Sequence, residues 1–478
     1  MDLKKEVIRG VKWSTLTTVI STLLQFLQTV ILARLVTPTD FGLMAILYVI
    51  IGFAGMISDF GISSAVIQKQ DTSSRQLSSL YWLNIAVGLF LFIILYYTRG
   101  LFAAFYDEPL LNDLIPLVGI NLIITPVGSQ FAVILRKNLR FNLSSKISLL
   151  AILFSFVFTV GLAYYGFGVY SLVYGAIVYS AVIALGSFIY GLQYNNPKFE
   201  FNFPEIKPYL KFGFYNFSGG TVNYLSANVD KLIIGRILGA ELLGIYTIAY
   251  NISILPISKI NPVITNIAFP VFSKIQDDKE SLNSYYTKAV ILVMLINVPI
   301  LAGLSIVSTE FITVVYGTEW ILAAGILPYL AAVGLFRAFG NIGGALVLAK
   351  GKPEVILKWN LILLAGTSFV TYLILLNVPT LQAAGFSQLL LMLLFGWLWH
   401  FFIHRVAGIN YRPILLKVLV FLVIAAIMVI VVGSFSSFNF ISSPLIGLII
   451  KSAVGGVVFL SIIYFLNGRY IDLRSLKL

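Results

Sequence analysis

Residues 31–42 read Ile-Leu-Ala-Arg-Leu-Val-Thr-Pro-Thr-Asp-Phe-Gly, and residues 233–244 read Ile-Ile-Gly-Arg-Ile-Leu-Gly-Ala-Glu-Leu-Leu-Gly. At one constant offset Arg34 falls on Arg236 and Gly42 on Gly244. Each stretch is a turn between two long apolar runs, so the sequence reads as two copies of one helical unit, since folds of this kind are often built from repeats.

Outward from these turns the chain is apolar almost throughout. Hydrophobic residues make up 59% and charged residues 11% of the 478, with a mean hydropathy of +0.96, where a soluble domain carries about 25% charge. A helix needs about 20 apolar residues to cross a bilayer core, and the sequence offers such runs repeatedly. The reading is an all-α integral membrane protein with about fourteen transmembrane helices. Six fall near residues 11–35, 41–67, 77–98, 113–135, 146–165 and 168–193. Six more fall near 211–237, 242–269, 284–308, 321–348, 355–377 and 380–404, and two near 413–435 and 443–466. This gives an N-lobe over 1–193, a cytoplasmic linker over 194–210, a C-lobe over 211–406, and helices 13 and 14 with the C-terminus over 407–478. The lobes are pseudo-symmetric six-helix bundles that face each other across a cleft.

The formal charge of +13 follows topology. Of the 32 Lys and Arg residues, only Arg34, Arg99, Lys231 and Arg236 fall in loops or helix ends opposite the N-terminus. Three more, Lys259, Arg337 and Lys451, lie inside spans, and all the others share the side of the N-terminus. Positive loops stay inside, so both termini are expected to be cytoplasmic in a multi-pass protein. The opposite side carries acids at Asp107, Glu108, Asp113, Glu310 and Glu319. Because the basic residues are spread over short loops, no nucleic-acid partner is expected. With no cysteine, the chain has no disulfide, thiolate or Cys-ligated metal.

An ionisable group at mid-span costs roughly 2.5–3.5 kcal/mol on insertion scales and usually faces a bundle interior or a water-filled cavity. The candidates are Asp59, Lys259 and Arg337, with Asp230 and Lys231 nearer the outer end of helix 7. Lys259 stands between Pro256 and Pro262, which predicts a broken helix beside a charge. At the repeat offset Asp59 matches Asn261, two places from Lys259, so acid and base lie at comparable depth. They form either a gating ion pair or a static one that fixes packing. Arg337 lies on a Gly-rich stretch and, with Lys259, makes the cleft positive; it either contacts an anionic substrate or bonds a neighbouring carbonyl. Lys451 is expected to snorkel to the outer surface. Arg34 and Arg236 are read as braces of the outer loops. His400 and His404, one turn apart beside Trp397 and Trp399, read as an interfacial belt rather than a metal site. No nucleophile, phosphate-binding loop or metalloprotease motif is present, so no catalytic residue, metal or cofactor is assigned.

The segments Gly10-Val-Lys-Trp13, Leu32 to Gly42, Asp59-Phe-Gly61, Val229-Asp-Lys-Leu-Ile-Ile-Gly235, Leu243-Gly-Ile-Tyr246 and Phe269-Pro270 occur in an order and spacing that resembles a known group. It is the polysaccharide-transporter branch (Wzx-type, teichuronic or colanic acid exporters) of the multidrug/oligosaccharidyl-lipid/polysaccharide flippase superfamily. The resemblance implies a flippase of the bacterial cytoplasmic membrane that moves an undecaprenyl-pyrophosphate-linked oligosaccharide outward by alternating access. The expected partners are membrane lipids, the lipid-linked substrate and polysaccharide polymerase machinery. A cationic cleft suits a pyrophosphate. The alternative is a multidrug-type cation antiporter of the same superfamily, which would favour carboxylates such as Asp59 and Asp230 in its cavity.

Overall fold

A computed structural model describes residues 3–69, 71–435 and 443–466. The C-terminal cations Arg469, Arg474 and Lys477, assigned above to the N-terminal side, lie outside these residues. The described elements are helical. In chain order they are α1 (Leu3–Leu32), α2 (Pro38–Asp59), α3 (Ile62–Gln68), α4 (Ser74–Tyr106), α5 (Leu111–Gly119), α6 (Asn121–Lys137), α7 (Phe141–Tyr164) and α8 (Val169–Gly191). There follow α9 (Phe203–Lys274), α10 (Lys279–Ile306), α11 (Ser308–Val315), α12 (Ile321–Ala349), α13 (Pro353–Asn377), α14 (Leu381–Ala407), α15 (Tyr411–Phe435) and α16 (Pro444–Leu466).

Twelve helical segments among the described residues are long and apolar enough to span a membrane. One of them is α9, 72 residues long and interrupted at Gly239, where φ is 82°. Dividing it there, and adding the shorter apolar stretch Leu16–Leu32 of α1, brings the architecture to the expected fourteen or so crossings. The chain is a multi-pass membrane protein.

Packing divides the chain into two compact units, Met1–Gly244 and Ile245–Leu478. In the first, α7 packs on α1 and α8, and α6 lies against α8 and α4. In the second, α12 packs on α10 and α14, α15 lies on α10, and α16 on α15 and α11. The core of the second unit is largely apolar, with Leu282, Val293, Leu301, Ile342 and Phe421 essentially inaccessible.

The opening motif owes its residues to helix capping. Pro38 starts α2, where a missing N–H costs nothing. The Thr37 hydroxyl accepts from Asp40 N at 3.3 Å, and Asp40 Oδ2 accepts from Thr37 N at 2.9 Å. This reciprocal pair satisfies two donors that the first turn leaves free. Asp40 Oδ1 accepts from Val169 N at 3.0 Å, so one carboxylate caps both α2 and the start of α8.

Gly42 and Gly244, aligned as equivalents, meet in space. A Cβ on Gly42 would lie 1.7 Å from Ala240 O; one on Gly244 would lie 1.9 Å from Pro38 O and 2.9 Å from Gly42 N. Backbone approaches this closely only where no Cβ intervenes, which is why both positions are glycine. The contact continues down α2. The Tyr224 hydroxyl of α9 donates to Tyr48 O and Val49 O, each at 3.1 Å. At the far end, a Cβ on Gly213 would lie 2.3 Å from Phe60 O.

Two further devices recur in both copies. In the first, Ser58 Oγ donates to Asn84 Oδ1 and Asn84 Nδ2 to Ser129 Oγ, both at 3.2 Å, joining α2, α4 and α6. In the second, Asn297 Nδ2 donates to Asn261 Oδ1 at 3.2 Å and Asn261 Nδ2 to Ala338 O at 3.3 Å, joining α9, α10 and α12. Likewise Lys137, ending α6, donates to Val66 O and Lys69 O at the C-terminus of α3. Lys350, after α12, donates to Gln276 O just beyond α9. A cation at a helix C-terminus meets the last carbonyls and the negative end of the dipole. Asn297 follows Asn84 at the same interval at which Lys350 follows Lys137.

Candidate functional site

Asp59 ends α2, and the expected uninterrupted helix over 41–67 breaks immediately after it. Phe60 and Gly61 both take left-handed conformations, with φ of 43° and 72°. The Asp59 carboxylate accepts from the Ser63 hydroxyl, with Ser63 N at 3.4 Å. It therefore sits at the N-terminus of α3, where the helix dipole favours an anion.

Lys259 lies on α9 in the second unit, and here the expectation of a broken helix is corrected. The backbone stays helical through Pro256 and Pro262, Gly239 being the interruption recorded in α9. The prolines remove N–H donors rather than the helix, so Ile252 O and Ser258 O lose their usual partners. The side chain of Lys259 is exposed at the surface of the unit.

Arg337, on α12, is half-buried and held by α9. Its guanidinium donates to the Tyr250 hydroxyl and lies 5.4 Å from the centre of the Tyr250 ring. Tyr250 in turn stacks on Tyr246, with centroids 6.0 Å apart. The neighbouring Ala338 O accepts from Asn261, and a Cβ on Gly334 would lie 3.3 Å from Ser253 O. Helices α9 and α12 thus approach closely along the stretch that carries Arg337. Lys259 is at a similar level, but two residues from Asn261 it points roughly 200° round the helix. It is therefore not brought beside Arg337 on the α9–α12 contact face.

Asp230 is 3% exposed and accepts from Lys231 N at 2.9 Å. Lys231 Nζ donates to Asn228 Oδ1 at 3.0 Å. These neighbours in sequence share a polar patch of α9 within the first unit. Arg34 is exposed, and Arg236 lies 5.5 Å over the ring of Phe105, in the last turn of α4.

Lys451 does not snorkel. It forms an ion pair with Glu310 of α11, with side-chain exposures of 10% and 18%, so an acid assigned by sequence to the outer loops is a bundle partner. His400 Nδ1 is 3.2 Å from the Tyr411 hydroxyl, and its ring stacks on Phe339 at 4.2 Å. His404 Nδ1 lies 2.8 Å from Ile409 O. The two imidazoles, one turn apart, serve different partners.

Tyr250, Asn261, Asn297 and Glu310 escape a reading for charge at depth. The Asn84/Asn297 and Lys137/Lys350 interval is the signal that finds part of this set. It is longer than the Gly42/Gly244 interval, so an insertion in the second copy, after Asn261, hides it from a constant-offset comparison.

Residues 31–324 match the family described as Polysaccharide biosynthesis protein. The chain is 36% identical over 360 residues to "Lipopolysaccharide biosynthesis protein WzxC" of Escherichia coli (strain K12), covering 75% of this chain and 73% of that protein. It is 35% identical over 375 residues to "Teichuronic acid biosynthesis protein TuaB" of Bacillus subtilis (strain 168), covering 77% and 76%. Among solved structures it resembles the lipid II flippase MurJ in an inward closed conformation, with a TM-score of 0.75 at 16% identity over 95% of this chain and 99% of that one. It also resembles an inward-facing multidrug resistance MATE family transporter, with a TM-score of 0.59 at 14% identity over 83% and 98%. These two likenesses establish the fold.

Proposed function

Since the chain belongs to the polysaccharide biosynthesis protein family, we propose that it is a flippase for a lipid-linked oligosaccharide, an undecaprenyl-pyrophosphate glycan destined for the cell surface. It acts in the bacterial cytoplasmic membrane with both termini cytoplasmic. The lobes derive from residues 1–193 and 211–406, and access alternates between the two sides of the bilayer. The role is transport rather than catalysis, and polymerase machinery takes the product.

The observation that carries this reading is Arg337. A guanidinium at mid-helix is expensive to insert, and this one is half-buried and oriented by the hydroxyl and ring of Tyr250. Its planar donor array matches phosphate oxygens. Lys259, exposed on another face of α9, adds positive charge to the same unit without joining the Arg337 site. The carboxylates that an antiporter would offer to a cation have other tasks: Asp59 caps α3, and Asp230 is buried against its own backbone. Arg34 and Arg236 brace the outer ends.

In cells whose surface polysaccharide depends on this chain, Arg337→Ala is expected to lower export roughly tenfold or more, the weight of a charged hydrogen bond worth about 1.5–3 kcal/mol. Membrane levels of the protein should be unchanged. Arg337→Lys keeps the charge but not the fork and should retain part of the export, and Lys259→Ala should show a smaller loss. Normal polysaccharide in both the Arg337→Ala and Lys259→Ala strains would reject cationic recognition.

A further inference from the structure

The segment joining the two copies, residues 194–202, is pinned to the first turns of α4. Lys198 N donates to Ser78 Oγ at 3.1 Å and Asn202 N to Ser79 Oγ at 2.9 Å. The Trp82 indole donates to Lys198 O at 2.9 Å, and Ser74 Oγ to Asn195 Oδ1 at 2.9 Å. At the entry to α9, Glu205 accepts from Asn202 and pairs with Arg75 at 3.3 Å, while the Tyr209 hydroxyl bonds Gln76 at 3.0 Å.

Fixed in this way, the strap turns its phenylalanines outward. Phe199 is 90% exposed, Phe201 56% and Phe203 52%. They alternate in sequence, and they cannot fold inward without giving up the bonds that hold the strap. Lys198, Lys207 and Lys211 are exposed around them, with Glu200 the exposed acid within the strap. Leu185, Ile189 and Tyr190, near the end of α8 that precedes the strap, are also exposed, on a helix long and apolar enough to cross a membrane. Aromatic rings and lysines together are the composition of a membrane–water interface, and an excess of lysine there draws anionic headgroups.

We propose that this strap is a membrane-interfacial anchor: Phe199, Phe201 and Phe203 enter the headgroup layer, and Lys198, Lys207 and Lys211 gather anionic phospholipid. The proposal does not depend on what the protein carries.

The chain has no cysteine, so spin labels can be placed one at a time without removing a native thiol. The full-length variants Phe199→Cys, Phe201→Cys and Phe203→Cys would be labelled and reconstituted in vesicles containing phosphatidylglycerol. Asp277→Cys, in the exposed turn between α9 and α10, is the water-facing reference. The three strap labels are expected to collide several-fold more with oxygen, relative to a water-soluble nickel chelate, than the reference label does. This preference should weaken in pure phosphatidylcholine, and also when Lys198, Lys207 and Lys211 are all changed to glutamine. Labels that follow the Asp277 reference would place the strap in water and overturn the proposal. Labels that neither reagent reaches would mean that a second copy or another protein covers the strap, and would equally overturn the proposal. A depth that ignores both lipid charge and the lysines would overturn the assignment of anionic lipid.

Discussion

Leucine in place of Gly42 or Gly244 is expected to remove folded protein from the membrane. A Cβ at either position would lie within 2 Å of a backbone carbonyl oxygen, Ala240 O or Pro38 O, and backbone cannot rotate aside as a side chain can. Close approach through small residues is how membrane helices gain packing energy, and even modest overpacking costs about 1–3 kcal/mol. Alanine is therefore expected to lower the unfolding temperature sharply, and leucine to leave only aggregated or degraded chain. Gly55, on the same helix with no atom within 4 Å of its would-be Cβ, is the internal control. Gly55→Ala should be neutral or slightly stabilising, by roughly 0.5–1 kcal/mol. Size-exclusion profiles and thermal unfolding in detergent check all of these. A monodisperse Gly42→Leu protein with the parent's stability would show that the two turns do not meet.

Breaking the pair between Lys451 and Glu310 should give the second large effect. Removing one member of a buried ion pair leaves a charge without compensation and costs roughly 3–5 kcal/mol, whereas replacing both by apolar groups of similar volume is near neutral. Lys451→Met and Glu310→Leu are each expected to destabilise the purified protein strongly, and the double variant to recover most of the loss. The unfolding temperatures of the four proteins form a double-mutant cycle. Simple addition of the two losses would mean that α16 is held to α11 by something else. Such a strong dependence is expected because α11 is only eight residues long and packs on α16 through a bond to one of the few deep charges in the chain.

Membrane span and repeat were legible in the sequence for physical reasons. Hydrocarbon imposes a run length, and close backbone approach imposes glycine at the two matching turns, Gly42 and Gly244. The deep cations were legible one at a time, because charge at depth is costly. Their partners were not. Tyr250, which orients Arg337, looks like any aromatic residue of an apolar helix, and Glu310 looks like a loop acid until α11 turns it toward Lys451. The break after Asp59 was hidden because Phe60, an ordinary helix residue, takes a left-handed conformation there. The prolines around Lys259 misled in the opposite sense, since membrane helices tolerate proline where neighbouring groups absorb the freed carbonyls. The polar knots at Asn84 and Asn297 and the lysine caps at Lys137 and Lys350 needed the structure, because an insertion changes the register between the copies.

The most direct test of the account is lipid flipping by the purified chain. Reconstituted in vesicles with an undecaprenyl-pyrophosphate-linked oligosaccharide in one leaflet, the protein should expose the glycan to an impermeant glycosidase or lectin on the opposite side. Arg337→Ala, equally reconstituted, should largely lose this. Glycan that stays in its leaflet while the same vesicles accumulate a cationic drug would contradict the account, as would flipping that proceeds unchanged in Arg337→Ala.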